Sequence, residues 1–567
     1  MEVRRCSLVK FASVVIYTLL ASTASSSAVP TSTGNEPTSE ERASIYYSDG
    51  SDVPIEQPLL KATDWFLTEQ EITDSRGGER RKDLSVYTTG NAITSYTVTK
   101  DYFDAVYDDL AAVGEGQRVL LAAWDAKIVP FKPDVDVTGA TTGYDKVVAG
   151  VVERGGEVSI LAWANLMRHG HVIDARNNIS SIPPSKKNGG HVTFIFDDRV
   201  RTISSSHHQK SLVIAAKKST GVDDHPVAYV GGLDITNDRW DTIYHNNSAL
   251  RDASGITFQY KGWADGEFRI HGPAAKDVAN NFIARWNSDY KPCKGLDDTF
   301  LDFKNPDFHD LDRLDYASSK NTSKLGTQNV QIVRTYSCKY KHYKEFAPKG
   351  ETSLLQARIM AIKNARNYIY IEDQYFILVP ELLDALMEAM PRLQKVIIVA
   401  QAPVGQVTFA GYKKYFHEMV SPLKRKYPNK FHVYTTKLDL EIYIHSKIVI
   451  IDDVYLSVGS ANWNRRSMSS DSELNANVVD DATIKSPDGI IVNKLARDFR
   501  IRKFHEFTGV SYAELDAMTF LKAARQFEIA AADNSSLIQT LESEYELYYI
   551  GITDLVRQQV DPEDICT

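Results

Sequence analysis

Cysteine is scarce, four in 567 residues. Cys6 falls in an N-terminal stretch read below as removed, leaving Cys293, Cys338 and Cys566, so one of these three stays unpaired or bonds elsewhere. A Cys293–Cys338 bond would close a loop of about 45 residues and contribute about 4 kcal/mol in the chain-entropy model. Positive charge is in deficit too: Lys+Arg 65 against Asp+Glu 74 gives a formal charge of -9, which disfavours a protein that holds nucleic acid mainly by a basic surface. Past the N-terminus no apolar run reaches the ~20 residues that span a bilayer. Compositional bias is also missing. With 43% hydrophobic, 10% aromatic and 25% charged residues, wholesale disorder, collagen-like and coiled-coil architectures are excluded. The length excludes a short binding module and points to two domains or two large fused halves.

What is present begins with a targeting pattern. Arg4, Arg5 and Lys10 precede the apolar run Phe11 to Ala21 and the small-residue stretch Ser22 to Ala28, the layout of a secretory signal peptide over residues 1–28. Its loss makes the chain more acidic. Sequons at Asn178, Asn246, Asn321 and Asn534 fit secretion and an oxidising compartment. Residues 29–57 are rich in Ser, Thr, Pro and Glu and read as a flexible leader.

From there helices and strands alternate. Asp101 to Val113 and Asp145 to Arg154 read as amphipathic helices, Arg118 to Trp124 and Glu157 to Trp163 as buried strands. The order returns with helices Ser353 to Asn367 and Pro380 to Met390 and strands Tyr368 to Glu372 and Lys395 to Ala400. HHQKSLVIA (His207 to Ala215) leading to YVGGLD repeats as IHSKIVIID (Ile444 to Asp452) leading to LSVGSAN. The fold class is therefore α/β, two similar halves, each a mixed sheet flanked by helices, packed face to face with the site at the seam. The halves are expected at 58–330 and 331–530, followed by a C-terminal tail, 531–567.

The second half carries His445-x-Lys447 and Asp452, then Gly459, Ser460, Asn462 and Glu473; the first carries His208-x-Lys210, then Gly231, Gly232 and Asp234. On a strand, residues i and i+2 share a face, so each pair is expected to set an imidazole beside an ammonium. Two such pairs converge well on a phosphodiester. Attack at phosphorus places charge on the nonbridging oxygens and requires a nucleophile and a proton for the leaving alkoxide. One imidazole can attack while the other acts as general acid and then base. Lys210, Lys447, Asn462 and the backbone N–H groups of the glycine turns offset the phosphate charge. This chemistry needs no metal or other cofactor.

These pairs, with GGLDITNDRWD (Gly231 to Asp241), FRIHGPA (Phe268 to Ala274), VRTY (Val333 to Tyr336), IEDQYF (Ile371 to Phe376) and GSANWNRRS (Gly459 to Ser467), resemble the phospholipase D superfamily. The likeness runs from about Leu60 to Gly509 and is nearer the lipid-hydrolysing branch than the short nuclease branch. It implies His208 as nucleophile, His445 as general acid and base, and Lys210, Lys447 and Asn462 on phosphate, with Asp234, Ser460 and Gly232 as further phosphate candidates. It makes Glu473 the acid that fixes an active-site imidazole and Asp241 its counterpart in the first half. Asp452 is a support. One position departs: the first motif's aspartate is Ala215, and Asp223 or Asp224 in the adjoining insertion is the available substitute.

Trp240, Trp263, Trp463, Tyr375 and Phe376 are the aromatic candidates for a quaternary ammonium wall, Trp463 first because it follows Asn462. Lys424, Arg425 and Lys426 read as a solvated helix end. The resemblance implies a secreted, monomeric phospholipase D acting at a membrane surface, without nucleic acid or metal, that cleaves phosphatidylcholine to phosphatidic acid and the head-group alcohol. The alternatives are a nuclease or other phosphodiesterase of the same superfamily, and a noncatalytic lipid-binding protein in which Ala215 marks decay.

Overall fold

The computed structural model describes residues 48–163, 170–197, 199, 205–217, 226–288, 308–314, 325–339, 347–403 and 411–564. The signal stretch, residues 29–47 of the leader, Cys6, Cys293, Cys566, Asn321, Asp223 and Asp224 lie outside them. Cys338 is disulfide-bonded. Asn178, Asn246 and Asn534 are exposed, as a glycan acceptor must be.

The first half contributes β1 (Thr88–Tyr96), β2 (Gln117–Ala123), β3 (Glu157–Trp163), β4 (His191–Asp197), β5 (Ser211–Ala216), β6 (Val227–Gly231), β7 (Gly262–Ala264) and β8 (Glu267–His271). The second contributes β9 (Gln328–Thr335), β10 (Tyr368–Asp373), β11 (Lys395–Ala400), β12 (Phe431–Thr436), β13 (Ile442–Ile444), β14 (Lys447–Ile451), β15 (Tyr455–Gly459) and β16 (Glu473–Asp480), then the hairpin β17 (Thr483–Lys485) and β18 (Ile491–Asn493), and β19 (Ile538–Thr540). In the main sheet one half runs β1-β8-β6-β5-β2-β3-β4 and the other β9-β16-β15-β14-β10-β11-β12. The two orders are the same series. In each, three strands pair in parallel and the rest antiparallel.

The sequence pattern accounts for this layering. β10, β11 and β14 are buried along their whole length, as strands covered on both faces must be, and their apolar runs lack polar alternation. Helix Tyr144–Glu153 buries Val147, Val148, Val151 and Val152 on one stripe. The two halves meet in two ways. β1 and β9 pair edge to edge, making one continuous sheet of fifteen strands. One shared core also holds Val213, Ala228, Val230 and Phe268 of the first half with Ile448, Val458, Leu474 and Ala476 of the second.

Three expected boundaries therefore move. A cut between residues 330 and 331 falls inside β9, which pairs with β1 on one side and β16 on the other. The segment from residue 531 is no free tail, because β19 extends the sheet beyond β12 and Arg465 donates to the Asp561 carbonyl at 2.9 Å. The end of the leader is fixed as well: Glu56 exchanges hydrogen bonds with Asn367 at 2.8 and 2.9 Å. Backbone groups that find partners on the folded body lose the freedom that composition alone assigns them.

Candidate active site

Neither His-x-Lys pair lies wholly on a strand. Lys210 immediately precedes β5, and His445 and Ser446 bridge the gap between β13 and β14. The pairs are nevertheless built alike. Lys210 Nζ turns back to donate to the His208 carbonyl at 3.0 Å, and Lys447 Nζ donates to the His445 carbonyl. Each ammonium is thus held against its own histidine by a local ring.

The histidines are oriented crosswise. His208 Nδ1 lies 3.0 and 3.1 Å from the Glu473 oxygens, and the His208 N–H donates to the Ser472 carbonyl at 2.9 Å. His445 Nδ1 lies 2.7 Å from Asp265 Oδ2, and the His445 N–H donates to the Ala264 carbonyl at 2.9 Å. Each half's histidine is therefore gripped by the acid of the other half and by the carbonyl just before that acid. With Nδ1 engaged, Nε2 of each ring is left for chemistry.

Asp265 takes the place expected for Asp241. The Asp241 carboxylate is consumed elsewhere, accepting from His245 Nδ1 and the Trp263 N–H, both at 2.7 Å, and from Thr242 N–H at 2.8 Å. The sheet register identifies the true counterpart. Gly459 pairs with Asn475 and Gly231 with Glu267; two residues before each partner stand Glu473 and Asp265. The glycine at 232 serves this acid, since a Cβ there would lie 2.1 Å from Asp265 Oδ1. The Gly232 N–H already donates to the Gly266 carbonyl at 3.3 Å, so Gly232 is a clearance residue and not a phosphate donor. Ser460 is also reassigned: its Oγ donates to Glu473 Oε2 at 2.6 Å, and Ser467 Oγ donates to Oε1 at 2.6 Å.

Asp234 lies 3.6 Å from Lys210 Nζ and accepts from Trp124 N–H at 2.9 Å. A carboxylate there holds the lysine and repels an anion, so it positions the cation and does not bind phosphate itself. Asn462 occupies the matching turn of the other half; its side-chain oxygen has no protein partner among the described residues, which keeps the carboxamide for a ligand. Gln374 accepts from Lys447 Nζ at 3.2 Å, and Trp124 packs edge-on to His208 at 5.8 Å and under Lys210 Nζ at 5.5 Å. Neither was among the sequence candidates.

Asp452 is a tether. It accepts from the N–H groups of Arg366, Asn367 and Tyr368 at 2.6, 2.8 and 2.8 Å, and β14 separates it from Lys447 by roughly 16 Å at strand rise. Ala215 lies within β5 opposite Arg118 and is buried. The missing aspartate therefore removes a loop tether from the first half and nothing from the site.

Trp463, Phe376 and Trp240 are 0%, 0% and 1% exposed. Trp463 packs on Phe376 at 5.1 Å beneath Arg358, so it is core and does not meet a head group. Of the aromatic candidates Trp263 is the one that meets a catalytic-site histidine, its ring 4.9 Å from His445, with Arg239 stacked on it at 4.2 Å. Tyr375 stacks on Tyr412 at 5.0 Å, next to Gln374. Lys424, Arg425 and Lys426 end helix Tyr412–Lys426, where cations favour its dipole.

Electrostatics complete the arrangement. Burial, then Lys210 and Lys447, hold His208 well below the ordinary histidine value; burial, Lys447 and Arg239 do the same to His445. The same field disfavours the protonated form of both rings. Burial lowers Lys447 to about 7 against the pull of Asp265 and Asp373, and raises Glu473 to about 7. A bound anion would reverse this field: it offsets the cations, keeps Lys447 charged and lifts His445 toward the protonated form that Asp265 stabilises.

Lys447 supplies a test. Only its charged form attracts an anion, and that form is lost as pH rises through about 7. Affinity for sulfate, a dianion across about pH 6 to 9, is expected to fall over that range, measured by calorimetry. Lys447→Arg should make the fall shallower because guanidinium keeps its proton, leaving only the slope that Glu473 contributes as it ionises near the same pH. A flat wild-type profile would remove Lys447 as the titrating cation.

Among the described residues no group of three or more His, Cys, Asp or Glu is placed to hold a metal ion, and no helix is long and apolar enough to cross a membrane. The family model described as phospholipase D matches residues 175–382, and that described as cardiolipin synthase, PLD-like domain, matches 359–499. The chain is 27% identical over 380 residues to phospholipase D A of Dictyostelium discoideum, covering 54% of this chain and 27% of that one. It is 24% identical over 494 residues to phospholipase D alpha 1 of Vigna unguiculata, covering 68% and 56%. The chain thus spans about a quarter to just over half the length of these curated relatives. Among solved structures it is similar to phosphatidylserine synthase of Haemophilus influenzae, with TM-score 0.45, 14% identity and coverage of 68% and 82%.

Proposed function

The chain belongs to the phospholipase D superfamily, and from that premise we propose that it is a secreted phospholipase D that cleaves a glycerophospholipid, phosphatidylcholine foremost, to phosphatidic acid and the head-group alcohol. The observation that carries this reading is the crossed pair of dyads, His208 with Glu473 and His445 with Asp265, set between two lysines.

In this reading the substrate phosphate lies between the two Nε2 atoms, its nonbridging oxygens facing Lys210, Lys447 and Asn462. The His208 Nε2 lone pair forms a P–N bond as the P–O bond to the head group breaks, and the departing alkoxide takes the His445 Nε2 proton. His445 then accepts a proton from water as the water oxygen attacks phosphorus and the P–N bond breaks. A primary alcohol in place of water gives the transfer product. Glu473 and Asp265 select the tautomers and stabilise each imidazolium as it forms.

Purified protein is incubated with phosphatidylcholine vesicles and a primary alcohol, and choline and phosphatidylalcohol are measured. Both products are expected. Vesicle binding without choline release would overturn the reading in favour of a lipid-binding protein, and hydrolysis of single-stranded DNA with none of lipid would assign it to the nucleases. Secretion is read from residues 1–28 and is tested by sequencing the N-terminus of protein recovered from culture medium.

A further inference from the structure

Behind the His445 side of the site lies a second, wholly internal charge cluster that the reaction above does not use. It consists of Asp241, His245, Glu372, Lys503 and Glu506, none of whose side chains is more than 3% exposed. Lys503 Nζ lies 2.8 Å from Glu372 and 2.7 Å from Glu506. Glu506 reaches His245 Nε2 at 3.4 Å, and His245 Nδ1 is 2.7 Å from Asp241. Three carboxyl groups face two cations. His245 also occupies the left-handed region at φ 49, uncommon for a residue other than glycine.

Burial is costly for every member, yet the cluster converges on one short segment. Lys503 Nζ also donates to the Asp265 carbonyl at 3.4 Å. Glu372 accepts from Ser446 Oγ, and Ser446 Oγ also reaches the Ala264 carbonyl at 3.3 Å. Asp241 accepts from the Trp263 N–H at 2.7 Å. Trp263, Ala264 and Asp265 are thus each held by the cluster, directly or through Ser446, and Ser446 is the neighbour of His445. Tyr370 donates to the remaining Glu372 oxygen at 2.9 Å, and Lys503 also lies 5.1 Å over the Phe507 ring. Among the described residues neither His208 nor Glu473 shares a hydrogen bond or ion pair with the cluster.

We propose that Lys503 is a positioning residue for the general acid and base: by joining Glu372, Glu506 and the Asp265 carbonyl, it aims Asp265 at His445 and leaves the His208 side untouched. The inference rests on the proposed phosphodiesterase reading. The roles are separable because a leaving group that departs without a proton does not need His445 in the first step.

The test compares first-turnover rates on two phosphodiesters, one releasing p-nitrophenolate and one releasing choline. Lys503→Met is expected to slow choline release about 10- to 100-fold while the p-nitrophenolate burst keeps its wild-type rate and KM is unchanged. Lys503→Met with Glu372→Gln, which removes one charge of each sign, is expected to recover part of the loss and provides the soluble variant if the single one does not fold. Equal slowing on both substrates, or none on either, overturns the assignment while leaving the phosphodiesterase reading intact. Wild-type protein inert on both diesters would overturn that reading instead.

Discussion

His208→Ala is expected to abolish turnover of every phosphodiester, by roughly 10⁴-fold or more, since the residue supplies the bond-forming atom. His445→Ala should behave differently. With choline as leaving group it too should be almost inert, losing about 10²- to 10⁴-fold, because the alkoxide has no proton to take. With p-nitrophenolate it should release one equivalent in a burst and then stop, because His208 can still attack but nothing activates water for the second step. The stalled species is a phosphohistidine, acid-labile and base-stable, found by mass spectrometry at residue 208. A burst in His208→Ala and none in His445→Ala would exchange the two roles and retain the mechanism. The near-equivalent surroundings of the rings, each with one carboxylate and one backbone carbonyl, make this experiment the one that separates them.

The two rings differ in what surrounds them. Glu473 receives hydrogen bonds from Ser460 and Ser467 besides His208, which divides its charge among three donors. Asp265 has Trp263 Nε1 at 3.3 Å and the Gly266 N–H at 2.9 Å, and its backbone is tied to the cluster around Lys503. Each carboxylate thus serves three donors, but only the Asp265 backbone is also held by the Lys503 ammonium, and a firmly held acid suits a ring that must gain and lose a proton within a single turnover. The asymmetry therefore agrees with His208 as nucleophile.

Much of this arrangement is legible in the sequence. The α/β class, the duplicated halves and both His-x-Lys pairs follow from apolar periodicity and repeated order, which depend on a few residues at a time. Glu473 is reached through the family resemblance, which applies directly where no insertion separates the acid from its motif. Asp265 is not, because the first half inserts a long loop between Gly232 and β7 that breaks the spacing, and Asp241 stands in an attractive block inside that loop. The signal that identifies Asp265 is register across β6 and β8, a two-dimensional property that a linear reading does not hold. Trp463 differs from expectation for a similar reason: adjacency to Asn462 in sequence points it to the ligand, whereas its ring turns inward under Arg358. Ser460 and Gly232 lie in the right turns, but their polar groups are spent on the acids. The decision between binding a ligand and holding a neighbour depends on partners distant in sequence.

Asp265→Asn is the sharpest check on that correction. The carboxylate accepts the His445 Nδ1 proton and stabilises the imidazolium; an amide keeps the shape, loses the charge and can present its NH₂ to Nδ1, turning the ring into the tautomer with its proton on Nε2. That tautomer cannot take a proton from water in the second step, and without the Asp265 charge the ring is harder still to protonate for the first, in a field that already holds it well below the ordinary histidine value through burial and Lys447. A fall in kcat of about 10²- to 10⁴-fold is expected, with KM little changed because Lys210, Lys447 and Asn462 remain. Glu473→Gln should show a comparable loss through His208, and the p-nitrophenolate burst distinguishes the two: it is retained in Asp265→Asn and lost in Glu473→Gln. Asp241→Asn tests the discarded assignment. Its carboxylate touches His245 and the Trp263 N–H but neither catalytic ring, so it should cost no more than about 10-fold in kcat, the scale of a displaced supporting contact. A loss in Asp241→Asn equal to that in Asp265→Asn would return the orienting role to Asp241 and remove the crossed dyads as the basis of the mechanism.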